Sequence, residues 1–150
     1  MSTNGATFYI TGVQLEVGSS ATGFEYRPFT TELQLCQRYY QKSFNQGQVP
    51  TNSGLSSTTY TNWTLSNPGG GSYANSWVFP VIMRTTPTIT FYNPISPTGT
   101  AAYWHCYISA GTGSDQLFAV NGVTDSKFDA YTNSNAQVFA YGEFTASAEL

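Results

Sequence analysis

Residues 7–17 alternate, with Tyr9, Thr11, Val13, Leu15 and Val17 on one parity and Phe8, Ile10, Gly12, Gln14 and Glu16 on the other. The first parity is the more apolar, so the pattern predicts a strand. Its partner strands are missing from the chain, because residues 18–23 turn away into a linker broken by Pro28. A different period appears next. At residues 30–36 a threonine is placed to cap, Glu32 falls in the first turn, and Leu33, Cys36 and Tyr40 stand at i, i+3 and i+7. This predicts one short helix, running into a strand from about residue 38 to residue 44.

From residue 46 to 75 the chain is rich in Asn, Ser, Thr and Gly, and a long flexible loop is expected there. Within it residues 58–65 read as a strand and residues 68–71, Pro-Gly-Gly-Gly, as a turn. Residues 77–83 are apolar on both parities, so a strand here needs cover on both sides: the core on one, another subunit on the other. Residues 86–92 set Ile89 and Phe91 against Thr88, Thr90 and Tyr92. Residues 103–108 set Trp104, Cys106 and Ile108 against Tyr103, His105 and Tyr107. With residues 116–121, 126–131 and 137–145 the count reaches about eight strands, punctuated by Gly and Pro at sandwich-like spacing. The expected fold is all-β, an antiparallel β-sandwich of jelly-roll type with one short helix.

Composition narrows the classes open to such a fold. Only 9% of the 150 residues are charged, whereas Ser, Thr, Asn and Gln supply 55 of them. A soluble domain ordinarily carries about 25% charged residues, so hydroxyls and amides solvate this surface. Three Trp, eleven Tyr and ten Phe are enough to fill a core, which argues against disorder. Five basic residues and a net charge of -3 do not build the stripe that phosphate neutralisation needs, so nucleic acid is excluded as a partner. The longest apolar run is far too short for a membrane span, and the first residues lack the regions of a signal peptide. Cys36 and Cys106 read as two buried thiols rather than a disulfide. The single histidine, His105, removes most zinc sites and histidine-dependent triads.

One stretch carries more specific information. Residues 8–18, Phe-Tyr-Ile-Thr-Gly-Val-Gln-Leu-Glu-Val-Gly, are followed by Ala21-Thr22, by Phe24-Glu25-Tyr26-Arg27-Pro28, and by Glu32-Leu33 with Leu35-Cys36-Gln37-Arg38-Tyr39-Tyr40. This string resembles the junction found in tailed-bacteriophage tail fibre and tail spike proteins, and it covers roughly the first 45 residues. Residues 78–88 are similar to a block that comes after the junction in the same family. The resemblance implies a remnant of a carbohydrate-binding-like module at residues 1–28 and a distal tip domain at residues 29–150. It also implies a homotrimer in the virion, attached to the rest of the tail fibre and meeting the host cell surface. The virion-attachment part of longer family members has no counterpart here.

Aromatic rings among Ser, Thr, Asn and Gly are what a glycan-binding surface needs: a ring covers the C–H face of a sugar while short neutral side chains bond its hydroxyls. Trp63, Tyr60 and Tyr73, in or beside the polar loop, are the leading ligand-binding candidates, with core packing the alternative for Trp63. Tyr103 and His105 join them on a face that offers either a ligand platform or a subunit interface. Asp115, Asp125 and Asp129 fit no complete calcium-loop pattern, so no metal and no cofactor is expected. No pair of carboxyls among Asp115, Asp125, Asp129 and Glu143 falls in a glycosidase motif. Cys106 lies across the strand from His105, so no nucleophile has a base, and no catalysis is expected. Few charges remain for structure, and Arg38 is expected to make an ion pair or to cap backbone carbonyls beside Glu32. The expectation is a trimeric receptor-binding tip that holds a host surface polysaccharide or similar glycan without cleaving it. The alternatives are a purely structural trimerisation and folding knob, and an accessory module of a polysaccharide-degrading spike.

Overall fold

Alternation becomes strand wherever a neighbour exists to pair with it. In the computed structural model residues 7, 9–20, 22–52, 61–66, 72–74, 76–93, 102–107, 113–133 and 139–149 are described. Among them are one helix, α1 (Phe29–Gln37), and eleven strands. The strands are β1 (Tyr40–Lys42), β2 (Asn62–Ser66), β3 (Ser72–Ala74), β4 (Trp77–Val78), β5 (Thr88–Tyr92), β6 (Tyr103–Tyr107), β7 (Gly113–Leu117), β8 (Ala119–Asn121), β9 (Lys127–Thr132), β10 (Phe139–Tyr141) and β11 (Glu143–Ser147). The chain is therefore mostly β with one short helix, as the alternation predicts.

Every strand pair is antiparallel. One sheet has three strands in the order β1-β11-β5; the other runs β4-β9-β3-β2-β10-β6-β7, with β8 also paired to β9. Rings from the two sheets meet in the core. Phe91 of β5 lies edge-on to Trp104 of β6 at 5.0 Å, and Phe144 of β11 lies edge-on to Phe128 of β9 at 4.7 Å. Trp63 of β2 stacks on Trp104 at 4.9 Å. Edge and offset contacts of this kind add to the burial of ring area.

The chain passes from one sheet to the other at Gly142, between β10 and β11. A Cβ at that position would fall within the Trp104 indole, so only glycine lets the ring lie against the corner. Two indole N–H groups then bind the same corner: Trp63 Nε1 donates to the Gly142 carbonyl at 3.0 Å and Trp104 Nε1 to the Glu143 carbonyl at 3.2 Å. Glu143 is itself buried. Its carboxyl accepts from the Thr61 amide and the Thr61 hydroxyl, and burial pushes its pKa above the ordinary carboxylate value against those hydrogen bonds.

Several local expectations are corrected by tertiary context. The described part of residues 7–17 forms no strand, and Leu15 and Val17 are fully exposed. Its polar residues close a local loop instead. The Thr22 hydroxyl donates to Glu16 at 2.6 Å, the Glu25 amide donates to the Gln14 side-chain carbonyl at 2.7 Å, and Arg27 reaches Glu25 and Glu32. Helix α1 begins after Pro28, whose carbonyl accepts from Thr31 and Glu32, and no threonine side chain caps it. Glu32 pairs with Arg27 rather than with Arg38. The helix buries no residue, which leaves Cys36 exposed; only Cys106 is a buried thiol. Residues 77–83 are a strand only at their first two positions. Phe79 and Met83 enter the core while Val78 and Ile82 stay exposed, so within one chain this segment is covered on one side. Gln41 ties it to the helix end, donating to the carbonyls of Gln37 and Val81.

Candidate functional site

On β6 the period of two sends Trp104 and Cys106 fully into the core and turns Tyr103, His105 and Tyr107 outward, each half-buried. The neighbouring strand repeats the pattern: Ala140 points in, while Phe139 and Tyr141 point out. Register then decides which side chains meet. Phe139 lies opposite Tyr107 and Tyr141 opposite His105 on one side of β10; on the other side they face Thr64 and Asn62 of β2. On the far side of β6, His105 is opposite Asp115 and Tyr107 opposite Gly113 of β7. Directly opposed side chains in an antiparallel pair lie about 4.5–5.5 Å apart at Cβ, so this register assembles one continuous surface.

Its centre is a set of rings. Tyr107 stacks on Phe139 at 5.0 Å with planes 15° apart, and meets Tyr141 edge-on at 5.5 Å and His105 edge-on at 4.9 Å. Phe139 and Tyr141 are edge-on to each other at 5.5 Å. Beside the rings, His105 Nδ1 and Asp115 Oδ1 are 2.6 Å apart, with side chains 20% and 29% exposed. A carboxylate only accepts, so Nδ1–H is the donor; in the neutral form of the ring Nε2 is then an acceptor. Nε2 lies over Gly113: a Cβ there would collide with it and crowd Tyr107. Glycine at 113 therefore leaves the imidazole its place. Asn62 and Thr64, both exposed, add an amide and a hydroxyl at the β2 side of the rings.

The surface thus combines partly exposed rings, an oriented imidazole and carboxylate, and short neutral donors and acceptors. A set of this composition offers apolar ring area and neutral hydrogen-bonding groups side by side. Nucleophilic chemistry finds little support here. Cys106 is on the opposite face of β6, and burial pushes its thiol up to about 12.

The five sequence-predicted site residues separate. Tyr103 and His105 lie on this surface. Trp63 is only 5% exposed, stacked on Trp104 and bonded to Gly142, so a glycan contact for it is corrected to core packing. Tyr73 lies on β3, with its backbone in register with Tyr131. Tyr60 is outside the described residues. Sequence reasoning set Tyr107 on the same face as His105 but did not single out Phe139, Tyr141 and Asp115 as ligand contacts. The signal available for two of them is the strand expected at residues 137–145, whose period of two sets Phe139 and Tyr141 on one face; what no local pattern supplies is that β10 sits beside β6.

No family model, no curated protein and no solved structure matches this chain.

Proposed function

We infer that the chain is the distal, receptor-binding part of a phage tail fibre or tail spike, holding a host-surface glycan on the outer face of β10, β6 and β7 without cleaving it. The observation that carries this reading is the contiguous set of half-buried rings Tyr107, Phe139, Tyr141 and His105, bordered by Asp115, Asn62 and Thr64. Ring packing between the two sheets supports the finer description of the fold as a β-sandwich. The resemblance of the first 45 residues to the tail-fibre junction supports the virion location, with residues 1–28 left from a preceding module and residues 29–150 forming the tip. The homotrimer is part of the same reading: Leu15, Val17, Val78 and Ile82 are apolar side chains left in water by one chain alone. Three shallow sites on one rigid tip then act together, so millimolar single-site affinity suffices for adsorption.

The test is an array of bacterial surface polysaccharides probed with the whole chain, wild type and Tyr107→Ala. The variant is expected to bind about 10- to 100-fold more weakly while melting close to wild type. Unchanged glycan binding by a folded Tyr107→Ala would remove this face from the reading. A heat-stable trimer with no glycan bound by the wild type would favour the structural knob.

A further inference from the structure

Charge is distributed around the ring face in a way that selects among sugars. The chain has five Lys and Arg residues in all. Arg27 is held between Glu25 and Glu32 before the helix, and Arg38 is the helix C-cap. Lys42, on β1 of the three-stranded sheet, is bound to the carbonyls of Gln46 and Gln48. Arg84 lies over the Tyr39 ring. Lys127 begins β9, which is separated from β10 by β3 and β2. At about 4.8 Å per strand that is about 14 Å across the sheet, beyond the screening length of about 8 Å at physiological salt.

None of the five therefore stands on the outer surface of β10, β6 and β7, whereas one carboxylate, Asp115, does. Resting on the reading that this face takes a sugar, we propose that its ligand is a neutral pyranoside, a hexose or N-acetylhexosamine unit, and that uronate, sialate, sulfated and phosphorylated units are rejected. The exposed parts of the rings take the C–H surface of the sugar. Asn62, Thr64 and His105 Nε2 meet hydroxyl or amide groups, and these need no counter-charge. An anionic unit seated on the same rings would lie beside Asp115 with no Lys or Arg to offset it. Discrimination then comes from repulsion of the wrong ligand as much as attraction of the right one.

The experiment is calorimetric titration of the whole chain with glucan, galactan and N-acetylglucosamine oligosaccharides, the first two each alongside the same oligosaccharide oxidised at C6 to the carboxylate. At least one neutral hexose probe is expected to bind, with its carboxylate counterpart at least about fivefold weaker, the size of one like-charge contact at about 4 Å through water. Thr64→Lys, which places a cation opposite Phe139, is expected to close or reverse that gap, and Asp115→Asn to narrow it while still accepting from His105. A carboxylate form that binds wild type as tightly as its neutral parent, or more tightly, overturns the neutral selectivity and leaves the sugar reading standing. Absence of binding across both series overturns the sugar reading, and the selectivity with it.

Discussion

Both faces of the sheet at β6 and β10 carry aromatic rings, and those rings have opposite fates. Inward, Trp104 meets Trp63, Phe91 and Phe118, is wholly buried, and finds a carbonyl for its indole N–H. Outward, Tyr107, Phe139, Tyr141 and His105 find one another and keep part of each ring in water. The inward set is Trp, Cys and Ala under a second sheet, and the outward set is Tyr, His and Phe, of which part stays in contact with solvent. Burying a ring completely contributes to stability. A ring left partly exposed contributes less and stays available to a ligand.

Substitutions test how sharp that division is. Trp104→Ala should have the largest effect, a loss of about 3–5 kcal/mol measured by chemical denaturation, because it opens a cavity among the rings of Trp63, Phe91 and Phe118. Gly142→Ala should cost about 1–3 kcal/mol by the same measurement, since the new methyl group displaces the Trp104 ring from the corner. Tyr107→Ala should cost less than either in stability while weakening binding; a stability loss matching that of Trp104→Ala would erase the distinction between the faces. A smaller effect concerns Glu143. Its pKa is raised in the folded protein, so the folded state disfavours the charged form. The resulting penalty is absent below the ordinary carboxylate value of 4.5 and grows as pH rises through and above it. Thermal melts at pH 4.5 and pH 8 should therefore show wild type losing more stability than Glu143→Gln over that interval. The mildest probe is alkylation: iodoacetamide should modify exposed Cys36 in the native protein and reach buried Cys106 only on unfolding.

Much of this division was legible in the sequence. The period of two in residues 103–108 separates Trp104 and Cys106 from Tyr103, His105 and Tyr107, and the structure keeps that separation. Ile89 and Phe91 turn toward the core, as their alternation with threonines implies. Other elements were not legible, for reasons that are physical. Residues 7–17 alternate as well as β6 does, yet a strand without a neighbour has no ladder to join, and alternation alone does not supply one. Trp63, flanked by Asn and Thr in a polar stretch, reads locally as a surface ring; its place is decided by Trp104 and Gly142, 41 and 79 positions away in the chain. The candidate site suffers most from this. His105 with Tyr103 and Tyr107 is visible as a face, but Phe139, Tyr141 and Asp115 join it only through a register that no local pattern encodes.

The order of strands in the smaller sheet bears on how the chain reaches this form. Its middle strand, β11, comes from residues 143–147, and the outer strands β1 and β5 both pair with it. Tyr40 is paired with Ser147, 107 positions further along the chain. At ribosomal rates of about 5–20 residues per second, β1 waits roughly 5–20 s after its synthesis before its partner is made. Through that interval the unpaired backbone edge of β1 is open to other chains, and closure must then overcome the entropy of a very long loop. Slow, late closure makes the nascent chain, more than the finished domain, the stage most exposed to aggregation.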